Sequence, residues 1–151
     1  MKKKLNNNFF FQEIIIVQKV KKIIKNKGNI HKFIDIKSPL FKSFGEIYFT
    51  EVKKNSTKGW KKHKKTVSLI KVINGKIRFI FFYKETFYSI DINYLDNVII
   101  QIPPKIWFAF KGIANNNLLS NLINKKHSDK EVETKTIIQF NKEIKDNEKK
   151  K

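Results

Sequence analysis

The stretch 58–75, KGWKKHKKTVSLIKVING, decides the fold. It begins with a basic run that contains a tryptophan and a histidine, continues as a strand-like segment and ends in Asn74-Gly75. Asn-Gly between two apolar alternating runs is a strong signal of a β-hairpin, because both turn positions require a positive φ. We therefore predict a hairpin with its tip at Asn74-Gly75, and we expect any chemistry to lie in the basic run that leads into it.

Both strands of the predicted hairpin are apolar on both faces. In the second strand, for example, Ile77 and Phe79 alternate with Ile80 and Phe82. Strands of this kind lie inside a closed or sandwiched sheet. Other short strands follow at regular spacing, and Pro103-Pro104 ends one of them, since proline has no amide hydrogen to donate. The sequence therefore predicts an all-β protein, either a barrel or a double-sheet jelly roll.

The 151 residues correspond in length to one domain. We expect a flexible N-terminus over residues 1–8, a β domain over 9–126 and a polar, partly disordered C-terminal segment over 127–151. Residues 9–17 are rich in aromatic and β-branched side chains and are interpreted as one strand. Residues 136–140 could add an edge strand. Within the body of the chain, no stretch has the periodicity of an amphipathic helix of ordinary length.

Composition excludes some sites and leaves the meaning of the charge open. The chain has no cysteine, which excludes disulfides and thiolate metal sites. It has no apolar run of membrane-spanning length and no complete signal peptide, so we predict a cytoplasmic protein without a membrane partner. The net charge of +20 fits a polyanionic partner. However, Arg78 is the only arginine, and arginine is the residue that phosphate sites favour, so base composition of the gene is the preferred explanation.

Two blocks of the sequence, 61–75 and 97–112, resemble the paired motifs of the cupins, a family of double-stranded β-helix jelly-roll barrels. The spacing of the motifs is retained. In metal-dependent cupins four positions in these blocks bind the metal. The resemblance places Lys61, His63, Ser68 and Phe108 at those positions. A single imidazole does not hold a divalent metal, which needs three or four nitrogen or oxygen donors, so we predict no metal and no cofactor.

Within the cupins, the closer resemblance is to the dTDP-4-dehydrorhamnose 3,5-epimerases and the related dTDP-4-keto-6-deoxyglucose 3,4-ketoisomerases. Four segments carry it in order: 44–49, 58–64, 102–108 and 121–131. The resemblance implies an enzyme that acts on a dTDP-4-keto-6-deoxy sugar for surface polysaccharide, and a homodimer that pairs through the strand at 9–17. The alternative is a non-catalytic cupin that binds a sugar nucleotide or a glycan. Nucleic-acid binding fits the charge but not the motif spacing.

The same resemblance suggests the site residues. The epimerases have their catalytic histidine where this chain has Lys61, so we predict that His63, the second histidine of the ketoisomerase block, moves the proton and that Lys61 polarises the enolate. The aspartate partner and the acid tyrosine of the epimerases have no evident match. The substrate-binding candidates are Lys58 for the diphosphate, Glu46 and Tyr48 on a cavity-facing strand, Ser68, and Trp60 and Trp107 as walls.

Overall fold

The computed structural model describes residues 3–5, 8–11 and 14–148, and this part of the chain is mainly β-structure. None of its helices is long and apolar enough to cross a membrane. The elements in chain order are β1 (Lys3–Leu5), β2 (Asn8–Phe11), β3 (Ile15–Lys19), β4 (Lys22–Ile23), β5 (Ile30–His31), β6 (Glu46–Glu51), β7 (Thr57–His63), β8 (Ser68–Asn74), β9 (Lys76–Tyr83), β10 (Thr86–Asn93), a 3₁₀ helix (Tyr94–Asp96), β11 (Val98–Ile102), β12 (Trp107–Gly112), β13 (Leu118–Ile123), β14 (Val132–Thr134) and α1 (Ile137–Glu148).

Two antiparallel sheets form the body of the molecule. The first has seven strands in the order β1-β2-β3-β11-β8-β13-β6, and the second has five in the order β10-β9-β12-β7-β14. The main core lies between them, since it takes Ile70 and Val72 from β8 together with Phe79 and Phe81 from β9. Burial of such side chains supplies most of the stability of a two-layer β fold. The predicted all-β, double-sheet jelly roll is therefore confirmed.

The turn at Asn74-Gly75 is present, but the predicted hairpin is wrong. β8 pairs with β11 and β13, whereas β9 pairs with β10 and β12, so the turn carries the chain from one sheet to the other. Gly75 has a φ of +79°, while Asn74 lacks the positive φ that the expected hairpin turn also requires. The Asn117 side chain fixes this corner: it accepts a hydrogen bond from the Lys76 amide at 3.1 Å and donates one to the Val52 carbonyl at 2.9 Å.

The single strand predicted over residues 9–17 is also wrong, because this stretch holds two antiparallel strands. Phe9 of β2 lies opposite Val17 of β3, and β3 continues the sheet by pairing with β11. The polar pair Gln12-Glu13, which lies outside the described residues, divides the apolar stretch into two short segments that pair with each other. Within the segment 1–8 that we expected to be flexible, residues 3–5 pair with β2 as β1.

The C-terminal segment contains a helix where an edge strand was predicted. The edge strand is β14, which pairs with β7, and α1 follows directly after Thr136. The Thr136 hydroxyl accepts a hydrogen bond from the Gln139 amide at 3.2 Å, and the Gln139 side chain accepts one from the Thr136 amide at 2.9 Å. This reciprocal pair is a capping box, which fixes the start of a helix. One turn later, Phe140 packs on Trp60, on the outer face of the five-stranded sheet.

Candidate functional site

Several of the predicted site residues come together at one end of the barrel. His63 ends β7 and Ser68 begins β8, so residues 64–67 join the two sheets at this end. Ser68 lies opposite Ile123, at the end of β13, and Ile123 lies opposite Glu46, at the start of β6. The pairing of strands that are distant in the sequence therefore builds this end of the barrel.

Strand alternation divides the side chains of β7 between two faces. The His63 ring stacks on Phe108 of the main core, with 6.1 Å between the ring centroids, so His63 points inward. Lys61 shares this face, because side chains two residues apart in a strand lie on the same side. Trp60 and Lys62 lie on the opposite, outer face, where Trp60 belongs to a separate cluster.

A short hydrogen bond joins His63 to Glu131. His63 is 5% exposed, and its Nδ1 lies 2.7 Å from Glu131 Oε2. An ionised carboxylate only accepts hydrogen bonds, so Nδ1 carries the hydrogen and Nε2 is the acceptor nitrogen of the neutral ring. The other carboxylate oxygen, Oε1, accepts from the backbone amides of Lys65 at 2.7 Å and Thr66 at 2.8 Å. Both oxygens are thus held in place, and they fix the orientation and the tautomer of the imidazole.

The same contacts keep Glu131 ionised. Partial burial raises its pKa, but the hydrogen bonds from His63 and from the Lys65 and Thr66 amides outweigh burial and lower the pKa to about 2. The carboxylate is therefore charged throughout the neutral range. A charged partner at Nδ1 stabilises the imidazolium that forms when Nε2 takes up a proton.

Sequence reasoning missed Glu131 as the partner of His63. It found no match for the aspartate that supports the base in the epimerases, although Glu131 ends the segment 121–131 that resembles this family. The structure brings it to the site because β14 pairs with β7, with Val132 opposite His63. The position of Glu131 within the resembling segment was the available signal, but only the strand pairing shows which side chain it contacts.

Lys61 and Lys58 present their charges in different places. Lys61 is half-buried on the inner face, and burial lowers its pKa, as does repulsion from Lys58. This is the direction expected from the crowding of lysines in the sequence. Lys58 is exposed, and its Nζ lies 3.5 Å from the backbone carbonyl oxygen of Glu51. Lys61 thus places its side-chain nitrogen on the inner face of β7, whereas the Lys58 side chain lies at the surface.

Glu46 and Tyr48 lie on the inner face of β6, on the side opposite to the exposed Ile47 and Phe49. Tyr48 lies opposite Asn121 of β13, and its hydroxyl accepts a hydrogen bond from Asn121 Nδ2 at 2.7 Å. Burial raises the pKa of Tyr48, and the charge of Glu46 adds to this, while the Asn121 bond acts in the opposite direction. Tyr48 therefore remains protonated at neutral pH and keeps its hydroxyl hydrogen for donation. Glu46 Oε2 accepts a hydrogen bond from the His127 amide at 3.0 Å.

Two buried polar atoms, Ser68 Oγ and Asn121 Oδ1, have no hydrogen-bond partner among the described residues. Both side chains point inward, because Ile70 and Leu119, two residues away on the same strands, belong to the main core. An unsatisfied buried polar group costs about 1–3 kcal/mol, so each one requires an explanation. A ligand with hydroxyl groups at this end of the barrel would supply the missing partners.

The structure places the two tryptophans, which we expected as walls of the site, outside the barrel. Trp60 is 4% exposed and stacks on Phe140 of α1, with 4.2 Å between the ring centroids. Trp107 meets the same phenyl ring at 5.3 Å in an edge-on arrangement, and Lys62 Nζ lies 4.8 Å from the Trp107 ring. Both tryptophans therefore take part in the packing of α1 and do not line the barrel interior.

The residues at the cupin metal positions do not form a suitable donor set. His63 is already bonded to Glu131 through Nδ1, Ser68 offers one hydroxyl, and Phe108 offers no donor atom. In the part of the chain that the structure describes, no three histidine, cysteine, aspartate or glutamate side chains come together as a metal site. That the protein works without a metal or cofactor remains a prediction from the residue types.

No protein-family model matches the chain, and no curated protein matches it in sequence. Solved structures do match. A dTDP sugar isomerase from Desulfovibrio desulfuricans G20 is 25% identical, with a TM-score of 0.73 over 81% of this chain and 83% of that chain. The sugar 3,4-ketoisomerase QdtA from Thermoanaerobacterium thermosaccharolyticum, in complex with TDP, is 20% identical, with a TM-score of 0.68 over 88% and 96%. A dTDP-4-dehydrorhamnose 3,5-epimerase from Elizabethkingia anophelis NUHP1 is 9% identical, with a TM-score of 0.69 over 82% and 75%.

These structural neighbours confirm the resemblance that the sequence indicated. They are dTDP-sugar epimerases and ketoisomerases, and the chain shares their fold over more than four fifths of its length. The low identity agrees with a chain in which the fold and the motif spacing are retained while several site residues are substituted.

Proposed function

We propose that this protein is a sugar-nucleotide isomerase of the epimerase type that acts on a dTDP-4-keto-6-deoxy sugar. The observation that carries the proposal is the inward-facing His63, held by Glu131 with Nε2 as the acceptor nitrogen. The fold is shared with a dTDP sugar isomerase and with a ketoisomerase bound to TDP, which supports the substrate class. A ketone acidifies the C–H bonds on its neighbouring carbons, so the reaction needs a base and a group that stabilises the enolate oxygen.

His63 is the base in this proposal. Its Nε2 takes the proton from the carbon next to the ketone, the C–H electron pair forms the carbon–carbon double bond of an enolate, and the negative charge moves to the former carbonyl oxygen. Glu131 stabilises the imidazolium through Nδ1–H. Lys61, on the same face of β7, stabilises the enolate oxygen with its ammonium group. A proton delivered from water to the opposite face of the carbon gives an epimer, and His63 returns its own proton to water. Where that carbon carries a hydroxyl group, the enolate oxygen is protonated to an enediol, the hydroxyl group loses its proton to become the new ketone, and the former carbonyl carbon takes up the proton from His63, which gives a ketoisomer.

The remaining residues bind the substrate. Lys58 lies at the surface beside Lys61 and pairs with the diphosphate. Glu46 and Tyr48 face the interior from β6, and the unsatisfied Ser68 hydroxyl reaches the same end of the barrel from β8. These three polar side chains suit the hydroxyl and keto groups of a sugar.

The test is deuterium wash-in. The wild-type protein is incubated with dTDP-4-keto-6-deoxyglucose in heavy water, and the sugar nucleotide is examined by mass spectrometry and NMR. We expect deuterium at a carbon next to the ketone, whether or not the product differs from the substrate. In parallel, dTDP should raise the melting temperature, because a ligand that binds only the folded state stabilises it.

The second candidate is a sugar-nucleotide-binding cupin without catalysis. It is favoured by Lys61 at the position of the epimerase histidine and by the lack of a tyrosine in β13. The same experiment separates the two functions. If dTDP raises the melting temperature but no deuterium enters any 4-keto sugar nucleotide, the protein is a binder.

We also propose that the protein acts as a homodimer that pairs through its N-terminal strands. Support comes from β1, which lies at an edge of the seven-stranded sheet, where further strands can add. A monomer in light scattering at tens of micromolar would contradict this. With a dTDP-sugar as substrate, the proposed place of action is the cytoplasm, in the supply of sugars for surface polysaccharide.

A further inference from the structure

A second candidate site lies on the outer face of the seven-stranded sheet, away from the barrel interior. It is a groove of about 430 Å³, within the size range of small-molecule pockets. Its sides are apolar and are formed by Phe33, Ile47, Phe49, Ile73 and Tyr94. None of these residues has a role in the function proposed above.

Lys71 of β8 also lines this groove. Its side chain points to the outer face, since Leu69, two residues earlier, belongs to the cluster on that side of the sheet. Lys71 is 4% exposed, and its Nζ donates hydrogen bonds to the Lys32 carbonyl and to Asn97 Oδ1. Both acceptors are uncharged, and Lys71 forms no ion pair with an acidic side chain in the described part of the chain.

The polar end of the groove is therefore cationic and lacks a counter-charge. Burial lowers the pKa of Lys71 to about 8, which reflects the cost of holding an uncompensated ammonium away from water. His31 lines the groove as well, and its Nδ1 lies 3.3 Å from the same Asn97 Oδ1. The side-chain nitrogens of Lys71 and His31 therefore both lie close to the Asn97 amide oxygen. An ammonium with three N–H donors and two acceptors retains one donor for an anionic ligand.

The apolar sides of the groove are exposed without a partner in the described residues. Phe49 is 63% exposed and Ile47 and Ile73 are each 42% exposed. Adjacent exposed apolar side chains beside a buried polar group are typical of a binding site rather than of an ordinary surface. The groove thus combines one buried cationic end with one exposed apolar end.

We propose that this groove binds a small amphipathic carboxylate, with its carboxylate on Lys71 and its apolar tail along Ile47, Phe49 and Ile73. The charge decides the headgroup: a carboxylate supplies the missing counter-charge for the ammonium and forms a charge-assisted hydrogen bond. The apolar sides determine the rest of the ligand, which loses its own apolar surface to the groove. This site is independent of the proposed isomerase function.

The test compares three probes that share one alkyl chain: octanoate, octanol and octylammonium. Each is titrated into the full-length protein, and ¹H–¹⁵N correlation spectra report which amides move. We expect octanoate to shift the amides of Ile47, Phe49 and Ile73 and to bind about tenfold or more tightly than octanol, because only octanoate pairs with the ammonium. Octylammonium should bind more weakly than octanol.

Variants make the test specific. Lys71→Met keeps the alkyl stem and should lower octanoate affinity about tenfold, to the level of octanol, while the stabilisation by dTDP stays unchanged. Lys84→Met removes the same charge from the turn between β9 and β10, away from the groove, and should leave octanoate affinity as in the wild type. Phe49→Ala changes an exposed side chain, so it should fold normally and weaken all probes that bind through the alkyl chain.

Three results would overturn the proposal. The first is equal affinity for octanoate and octanol, or octanoate affinity that Lys71→Met does not change. The second is that millimolar octanoate moves no amide of the groove. The third is that the same amides shift on dilution without any ligand, which would mean that a second copy of the chain covers this face.

Discussion

Two places in this molecule set a histidine close to a lysine, and they differ in the group that the histidine meets. In the barrel interior, His63 Nδ1 lies 2.7 Å from the carboxylate of Glu131. On the outer face of the seven-stranded sheet, His31 Nδ1 and Lys71 Nζ lie 3.3 Å and 2.8 Å from the amide oxygen of Asn97. One centre contains a negative charge, and the other contains only a neutral acceptor.

This difference separates proton transfer from anion binding. A carboxylate fixes one tautomer of the imidazole and stabilises its protonated form, so the interior centre is suited to take up and release a proton. An amide oxygen cannot neutralise an ammonium, so the outer centre keeps a positive charge for a ligand. A histidine near a lysine is therefore suited to proton transfer where the third side chain is Glu131, and to anion binding where it is Asn97.

The largest expected effect comes from removing the negative charge in the interior. Glu131→Gln keeps the size of the side chain but no longer stabilises the imidazolium, so deuterium exchange should fall about 100-fold or more. Exchange is measured by mass spectrometry under conditions where nucleotide binding is saturated. Asp129→Asn, an exposed carboxylate in the same loop, serves as the control and should retain the wild-type rate. If the Glu131→Gln variant exchanged deuterium at the wild-type rate, the carboxylate would have no part in the chemistry.

The next effect concerns the outer face of the five-stranded sheet, which we interpret as structural. Phe140 is 3% exposed against Trp60, so Phe140→Ala should lower the free energy of unfolding by about 3 kcal/mol. Urea denaturation measures this, with the exposed Ile138→Ala on the same helix as the control. Stabilisation by dTDP should be unchanged below the new melting temperature. If Phe140→Ala kept normal stability but lost dTDP binding, the tryptophans that pack on Phe140 would belong to the binding site.

A smaller effect is expected at the surface beside the site. Lys58→Ala removes the ammonium assigned to the diphosphate and should weaken dTDP binding about tenfold, as measured by calorimetry. Lys25→Ala changes an exposed lysine in the turn between β4 and β5 and should leave dTDP affinity unchanged. If inorganic sulfate stabilises the wild type as much as dTDP does, Lys58 belongs to a general anion surface.

The smallest effect is the contribution of Glu131 to stability. Its pKa is lowered from 4.5 to about 2 in the folded protein, so its stabilising contribution is complete above pH 4.5 and is lost as the pH falls toward 2. Allowing for solvent screening of this partly exposed group, the loss should be about 1 kcal/mol. Denaturant unfolding between pH 5 and pH 2.5 measures it. In the Glu131→Gln variant the free energy of unfolding should fall less steeply with decreasing pH. The same pH dependence in the variant and the wild type would show that Glu131 does not make this contribution to stability.

Much of the fold could be predicted because β patterns are local. The alternation in β8 and β9, the proline stop after Ile102 and the tight turn at Gly75 are all visible in the sequence. The pairing of the strands could not be predicted from the sequence. A turn with one positive φ, such as the one at Gly75, can join two strands of different sheets as well as two paired strands of a hairpin. The helix at the C-terminus was missed although Thr136 and Gln139 have the spacing of a capping box.

The site was predictable only in part. The inward position of His63, Lys61 and Tyr48 follows from alternation once one residue of each strand is placed. The same alternation puts Trp60 outside, so its proposed role as a wall already conflicted with the inward position of its neighbours. The contact with Glu131 depends on the pairing of β14 with β7, which is a tertiary contact without a local signal.

The most direct test of the central claim compares His63→Asn with Lys61→Met in the wash-in assay with dTDP-4-keto-6-deoxyglucose. Both variants should still gain thermal stability from dTDP, which shows that each is folded and binds the nucleotide. If His63 is the base and Lys61 stabilises the enolate, His63→Asn abolishes deuterium incorporation and Lys61→Met only slows it. Full incorporation by His63→Asn together with none by Lys61→Met would contradict the account and make the lysine the base.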